Sequence, residues 1–219
     1  RVIMSKFQVL YQTTNTILKV NADTNDKFIV RAGAMVSMDD VFDMKLKSGG
    51  VKKAIGRMFA GQSTFLQEYT ANSQGELLLS PTFLGDIQLF EMDGSRNYRL
   101  GQNAFLASYG NIELKTKGAG GKGIFSGEGL FQVEAIGAGT LALCSFGAIH
   151  KKTLNPGERY IVDTNHLVLW ESSLNYKVEM ISNGLTSLVS GEGYICKFEG
   201  PGEVWIQTKN PSYLVSPGS

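Results

Sequence analysis

An internal repeat sets the strongest limit on the architecture of this chain. Three segments align on one another, and their central glycines are 66 and 64 residues apart. The segments are Phe59–Phe65, Phe125–Phe131 and Val189–Ile195, with Gly61, Gly127 and Gly191 in the shared position. A second marker follows each of them with nearly the same period, at Gly75–Leu79, Gly139–Leu143 and Gly202–Ile206. Three copies of about 65 residues therefore fill the chain.

The stretches between these glycines have the pattern of β-strands. Short runs of alternating or β-branched residues, such as Lys27–Val30, Asp86–Phe90 and Arg159–Val162, are bounded by Gly, Asn, Asp or Pro. The 26 glycines are scattered between the runs rather than pooled in one linker, which is typical of turn positions. The sequence predicts an all-β protein.

A third marker places a lysine in each copy. Lys45, Lys115 and Lys177 each follow an apolar run and fall on the opposite parity to their apolar neighbours. Because successive side chains of a strand point to opposite faces, the three lysines are expected to point into solvent.

The repeat also predicts how the copies assemble. An open sheet with one apolar face hides its edges best by closing against its own copies. We therefore expect one compact body with three internal repeats around a pseudo-threefold axis. Residues 1–219 are predicted to form a single domain with units at about 16–80, 81–145 and 146–211, because no Pro- or Ser-rich linker separates them.

Composition excludes several classes of partner and compartment. The chain has 21 basic and 20 acidic residues, so no clustered positive field predicts nucleic-acid binding. No apolar run reaches the length of a membrane span, and an apolar signal region is not seen, so a cytoplasmic location is expected. Cys144 and Cys196 lie in apolar alternating stretches and are expected to be buried free thiols.

The residues of familiar catalytic sets are missing from the sequence. The only histidines are His150 and His166, whereas a metal-binding jelly roll needs several converging imidazoles and carboxylates. No Gly-x-Ser-x-Gly elbow occurs, and the Gly118–Gly123 glycine motif lacks the following helix that a dinucleotide site requires. We expect no enzymatic activity and no cofactor.

A pair of carboxylates leaves one alternative open. Glu128 and Glu192 occupy equivalent places in two copies, with Gln62 in the third. Together with one histidine they could form a metal or small-ligand site, although a glycine-flanked glutamate is also ordinary turn chemistry. The alternative function is therefore a small-ligand or metal-binding β-barrel protein.

One segment departs from the repeat. Around residues 50–59, apolar side chains fall at helical spacing opposite basic ones, which predicts a short amphipathic helix. The candidate interaction segment consists of Lys52, Lys53, Arg57, Met58 and Phe59. Such a segment can contact an anionic membrane surface or a protein partner, or its apolar side can pack on one end of the barrel.

Self-association is a further expectation. Three unequal copies still leave strand edges exposed at the termini of the body, and symmetric homo-oligomers are the commonest way to cover such surface. We predict a homo-oligomer of undetermined order.

The repeat markers, the Gly56–Gly61 segment with its following Phe65, and the Gly-x-Leu/Val-x-Leu/Ile strand starts resemble the altered-inheritance-of-mitochondria protein twenty-four family. The resemblance extends from about Phe7 to Pro211. It implies a double-stranded β-helix or barrel-like body with three related units, a fold grouped with that of the tryptophan RNA-binding attenuation protein, and no accepted enzymatic role. The yeast relative is associated with organisation of the mitochondrial inner membrane. Together these features favour a non-enzymatic scaffold or interaction protein that could associate with membranes.

Overall fold

The computed structural model describes residues 5–12, 15–47, 66–116, 133–180 and 194–211. These residues form seventeen β-strands and one 3-10 turn, Thr164–His166, and none of them is in an α-helix. The strands are β1 Phe7–Leu10, β2 Ile17–Ala22, β3 Lys27–Arg31, β4 Met35–Met38, β5 Phe42–Lys47, β6 Leu66–Ala71, β7 Gly75–Leu79, β8 Ile87–Asp93, β9 Tyr98–Leu100, β10 Phe105–Thr116, β11 Val133–Cys144, β12 Ile149–Leu154, β13 Arg159–Asp163, β14 Leu167–Glu171, β15 Asn175–Met180, β16 Tyr194–Glu199 and β17 Gly202–Gln207. The predicted all-β class is confirmed.

Alternation along the strands follows their position in the sheets. In β2 the side chains of Leu18, Val20 and Ala22 are buried and those between them are half-buried, as expected for a strand with one covered face. In β14 all five residues, Leu167–Glu171, are buried. A strand of this kind has a packed layer on each of its two faces.

Hydrogen bonding joins the strands into three sheets. The N-terminal sheet has the order β1-β2-β7-β4, and the C-terminal sheet has the order β13-β16-β15. The central sheet has ten strands in the order β12-β17-β14-β9-β11-β10-β3-β6-β5, with β8 paired to β11 off this path. Every strand pairing in the described residues is antiparallel.

The same pairing pattern occurs in three parts of the chain. In the first, β7 pairs β2 and β4 while β6 pairs β3 and β5. In the last, β17 pairs β12 and β14 while β16 pairs β13 and β15. In the middle part the long strand β11 replaces two strands and pairs β8, β9 and β10. We call these parts the first, middle and last units.

A β-bulge recurs at the same place in each unit. The register shifts between Met35 and Ser37 in β4, between Phe105 and Ala107 in β10, and between Leu167 and Leu169 in β14. The bulged residues are Val36, Leu106 and Val168. A bulge bends its strand and re-aims a side chain, so its position is a specific structural feature.

Two junctions connect neighbouring units through strand pairing. Ala107–Tyr109 of β10 pair with Phe28–Val30 of β3, and Leu169–Glu171 of β14 pair with Tyr98–Leu100 of β9. Closure around a pseudo-threefold axis would add the corresponding pairing of β4 with β13. That third pairing is not formed among the described strands, so the first and last units are not joined in this way.

Three apolar cores lie between the sheets, and neighbouring cores share strands. Consecutive residues of β10 face different cores, because Phe105 is in the second and Leu106 is in the first. In β14, Leu167 is in the third core and Val168 is in the second. The cores therefore follow one another, each separated from the next by strands of the central sheet.

Candidate interaction surfaces

The interaction segment predicted from the sequence lies outside the described residues. Lys52, Lys53, Arg57, Met58 and Phe59 all fall between residues 47 and 66. The membrane and partner interpretations of that segment stay predictions.

The predicted carboxylate pair is also outside the described part of the chain. Glu128 falls between residues 116 and 133, Glu192 falls between residues 180 and 194, and Gln62 falls between residues 47 and 66. Within those ranges, no group of three or more His, Cys, Asp or Glu side chains is placed to hold a metal ion.

The two histidines have different surroundings, although both lie beside β17. His150 is exposed in β12, opposite Ile206 of β17. His166 ends the 3-10 turn, and its Nδ1 lies 2.7 Å from the carbonyl oxygen of Gln207. The Asp163 carboxylate caps this turn by accepting from the amide of Asn165 at 2.9 Å. His166 therefore takes part in fixing the turn against β17.

Both cysteines are buried free thiols, as the sequence predicts. Burial raises the pKa of Cys196 to about 12. Burial also raises the pKa of Cys144, whose Sγ donates to the carbonyl oxygen of Asn103 at 3.2 Å. Since the thiolate is the nucleophilic form, neither side chain is prepared for covalent chemistry.

The strand β4 forms an exposed apolar edge. It lies at the end of the N-terminal sheet and pairs only with β7 among the described strands. Its side chains are open to solvent, with Met35 41%, Val36 52% and Met38 38% exposed. An edge strand of this kind offers unpaired backbone groups beside apolar side chains, which is the arrangement that accepts another strand.

A second open edge lies in the C-terminal sheet. The strand β13 ends the C-terminal sheet, pairs only with β16 among the described strands, and carries Ile161, which is 58% exposed. Beside it the sheet encloses a concave region of about 470 Å³, lined by Arg159, Ile161, Asn175, Lys177, Lys197 and Glu199 together with Tyr160, Tyr176 and Phe198.

Ion pairs organise the charged side chains of this concave face. Glu179 lies 3.0 Å from the Nζ of Lys177 and 2.5 Å from the Nζ of Lys197. Hydrogen bonds from these two lysines hold the pKa of Glu179 below its usual value. Arg159 begins β13 at the rim, where it adds a positive charge to the free edge.

Sequence reasoning expects exposed strand edges but does not identify β4 and β13 as the strands that form them. The residues of β4 have the same apolar pattern as Phe105–Ser108 and Leu167–Trp170, which are buried. Only the strand pairing distinguishes an edge from a central strand. A signal was nevertheless present in β13, because Ile161 alternates with core residues and so had to lie on the outer face.

The described residues include no helix of the length and apolar character needed to cross a membrane.

Comparison with known proteins shows which family, relatives and solved structures this chain is similar to. The chain matches the sequence model of a family described as Mitochondrial biogenesis AIM24 over residues 7–209. It is 32% identical over 204 residues to an uncharacterized protein of Streptococcus pyogenes serotype M6, covering 89% of this chain and 82% of that protein. Its fold is similar to the crystal structure of a protein from Streptococcus pyogenes, with a TM-score of 0.78, 30% identity and 95% of each chain covered.

Proposed function

Since the chain belongs to the Mitochondrial biogenesis AIM24 family, we propose that it acts as a non-enzymatic scaffold or interaction protein. The family resemblance seen in the sequence is confirmed, and the similar proteins come from bacteria. The proposal rests on what the described surface offers to other molecules.

The observation that carries this proposal is the exposure of β4. A monomeric protein rarely leaves the apolar side chains of a whole strand in water at an open sheet edge, because such an edge pairs with other chains. Met35, Val36 and Met38 together form an apolar strip next to unpaired backbone groups. This is a binding surface for an extended segment rather than a pocket for chemistry.

We further propose that the three units are copies of one structural unit of about 65 residues. The equal pairing pattern and the bulges at Val36, Leu106 and Val168 support this interpretation. In each unit two layers of strands cover one apolar core, in keeping with the double-stranded β-helix and attenuation-protein-like fold expected from the sequence. The arrangement of the copies about a common axis stays part of this proposal.

The rival function is binding of a metal ion or small ligand by Glu128, Glu192 and a histidine. Elemental analysis of the purified protein, followed by a thermal-shift screen of metals and small molecules, separates the two functions. We expect no stoichiometric ion and no ligand that raises the melting temperature. A stoichiometric ion that is lost in Glu128→Ala or Glu192→Ala contradicts the scaffold proposal.

The location of the protein in the cell and its contact with a membrane are two further predictions. A cytoplasmic location and contact of the 50–59 segment with an anionic surface both derive from the sequence. Co-sedimentation with liposomes, with and without anionic lipid, tests the contact in the wild type and in a triple variant of Lys52, Lys53 and Arg57 to Ser. Equal sedimentation of the two proteins contradicts it.

A further inference from the structure

The bulged strands of the three units differ sharply in burial although their pairing is alike. In β10 the residues Phe105–Ser108 are buried, and in β14 the residues Leu167–Trp170 are buried. In β4 the corresponding residues, Met35–Met38, are all exposed. The first unit therefore exposes a strand that both other units cover.

Pairing with the preceding unit is what covers the two buried strands. β10 of the middle unit adds to β3 of the first unit, and β14 of the last unit adds to β9 of the middle unit. In each case the bulged residue enters the core of the preceding unit: Leu106 lies in the first core and Val168 lies in the second. Each junction therefore consists of a pairing between two strand edges and of one apolar side chain that enters the preceding core.

The last unit has a strand equivalent to the one that accepts the bulged strand in each junction. No bulged strand of another unit pairs with it among the described strands. This strand is β13, which corresponds to β3 of the first unit and β9 of the middle unit. The three strands are equivalent because β3 pairs with β6, β9 pairs with the first residues of β11, and β13 pairs with β16. The core of the last unit, the third, contains only residues between Leu154 and Val204 among those described. No bulged residue of another unit enters it within the described part of the chain.

We propose that β4 of one copy pairs with β13 of a second copy of this chain, repeating the junction that the chain makes twice internally. This inference rests on the proposed function as an interaction protein and names the partner. Transferring the internal register places Ser37 opposite Val162 and Met38 opposite Ile161 in an antiparallel ladder. Val36 enters the third core of the second copy, where it takes the part that Leu106 and Val168 have in the internal junctions.

Reciprocal contacts support the same pairing. Ile29, which corresponds to Ile161, packs against the second core, so the outer side chain of the receiving strand also gains a neighbour. Arg99, in the same place in β9, donates from Nη1 to the Tyr176 hydroxyl at 2.9 Å across the second junction. At the proposed contact Ile161 is 58% exposed in the single chain and gains cover from the first unit of its partner.

Charge favours the contact in the proposed direction. Asp39 and Asp40 follow β4 directly and are exposed. In an antiparallel pairing they lie beside the first residue of β13, Arg159, at the rim that also carries Lys177 and Lys197. Opposite charges at the rim of an interface set its direction and speed association, although Glu199 on the same face reduces the net field.

The contact is heterologous, because its two surfaces are different parts of the chain. Such interfaces produce closed rings when the rotation between copies returns to the start, and open filaments otherwise. Each copy contributes a complete β4 edge and a complete β13 edge, so the assembly has more than two copies unless two copies close on each other. A variant that damages one edge should stop growth while its other edge stays competent.

The experiment compares Val36→Lys, Ile161→Lys and the control Leu84→Lys by light scattering after gel filtration at micromolar concentration. Leu84 is 69% exposed and lies outside both edges, so its variant matches the change in charge and exposure. We expect the wild type and the control at a multiple of 23.8 kDa, and each edge variant at 23.8 kDa, the mass of one chain. An equimolar mixture of the two edge variants should give about 48 kDa, twice that mass, because one intact β4 meets one intact β13.

Three results overturn the inference. A wild type of 23.8 kDa at every concentration leaves no assembly to explain, and dissociation by Val36→Lys alone indicates a symmetric β4 to β4 contact. A mixture that stays at the mass of one chain excludes the pairing of the two edges. Thermal melts of each variant confirm that it is folded. The screen of metals and ligands tests the proposed function independently of this experiment. A monomeric protein that binds no metal or ligand therefore contradicts this interface but does not contradict the scaffold function.

Discussion

The hydroxyl of Tyr109 donates to Oδ1 of Asp26 at 2.9 Å, which ties the middle of β10 to the turn between β2 and β3. The other oxygen of Asp26 accepts from the Nζ of Lys6, so the N-terminal segment is attached at the same point. The Phe28 and Tyr109 rings stack beside this contact with centroids 5.1 Å apart. One half-buried carboxylate thereby joins the first unit, its N-terminal strand and the middle unit.

We predict that Asp26→Asn lowers the free energy of unfolding at neutral pH by about 1.5–3 kcal/mol, the usual size for hydrogen bonds to a charged group. Burial raises the pKa of Asp26, but hydrogen bonds from Lys6, from the Asp23 amide and from Tyr109 outweigh it, so the pKa lies below the ordinary value of an aspartate. A carboxyl group with a lowered folded pKa stabilises the protein above its unfolded pKa. That stabilisation is lost as pH falls through the folded value. Chemical denaturation between pH 7 and pH 2 should therefore show wild type and variant converging at the acidic end.

Asp23→Asn is the matched control for this prediction. Asp23 also contacts the Nζ of Lys6, at 2.7 Å, but its side chain is mostly exposed. An exposed ion pair contributes roughly 0–1 kcal/mol, so this variant should resemble the wild type. Equal losses in the two variants would show that Lys6, and not the Tyr109 contact, accounts for the effect.

The junction between β9 and β14 has almost no room at Gly101, which leads to a second prediction. The Gly101 amide donates to the carbonyl of Val168 at 2.9 Å, and an added Cβ would lie 1.8 Å from the carbonyl oxygen of Leu167. Gly101→Ala must therefore push the two strands apart, and we expect a loss of about 1–3 kcal/mol, as in other overpacked sites. The control is Gly157→Ala, because the φ of Gly157 is +75° and no atom lies within 4 Å of an added Cβ. Its loss of stability therefore reports backbone strain alone. Thermal or urea unfolding should place the Gly101 variant well below this control.

A third prediction concerns the thiols. Cys144 and Cys196 should not react with a disulfide reagent in the folded protein, because both are buried and their thiol pKa values are raised. Both should react once denaturant unfolds the chain. A rapid reaction of either thiol in the native protein would indicate an opening of its core that the structure does not contain.

How far the sequence predicts the fold depends on which interactions determine it. Local alternation identifies strands, and the predicted runs Lys27–Val30, Asp86–Phe90 and Arg159–Val162 fall within one residue or a few of β3, β8 and β13. Pairing between distant strands is not written in such patterns. The fusion of two short strands into β11 and the single central sheet therefore came only from the structure.

The lysine marker shows both the success and the limit. Lys45, Lys115 and Lys177 are exposed, as their parity predicts. In the pairing register they also hold the same place, because Lys45 lies opposite Glu68, Lys115 opposite Glu134 and Lys177 opposite Lys197. The limit lies with the apolar neighbours in the first unit, because Met44 is 49% and Leu46 is 66% exposed although their parity predicts that they point inward.

The candidate surfaces are less accessible to sequence reasoning. Met35–Met38 and Leu167–Trp170 have similar apolar patterns, and only the presence of a neighbouring strand makes one exposed and the other buried. An open edge is a property of the assembled sheets. Residues 50–59, which the sequence favoured for interaction, lie outside the described ranges and stay a prediction.

The register proposed between copies can be tested by cross-linking, which is a fourth prediction. Met38 and Ile161 should lie opposite each other, as Ser108 lies opposite Ile29 and Trp170 opposite Arg99 in the internal junctions. Directly opposed residues have Cβ atoms about 4.5–5.5 Å apart, close to the span of a disulfide. Mild oxidation of the double variant Met38→Cys with Ile161→Cys should give a ladder of covalent multiples on non-reducing gels.

Single variants supply the contrast for this experiment. Met38→Cys alone and Ile161→Cys alone should stay monomeric on the gel, because each new thiol faces a native side chain, and both native thiols are buried. Mixing the two single variants should produce a covalent dimer and nothing larger, since each chain then carries one new thiol at one edge. The pair Leu84→Cys with Ile161→Cys should give no ladder, because Leu84 lies outside both edges. Covalent dimers of Met38→Cys by itself would contradict the register, since they require two β4 strands to face each other rather than one β4 strand to face β13.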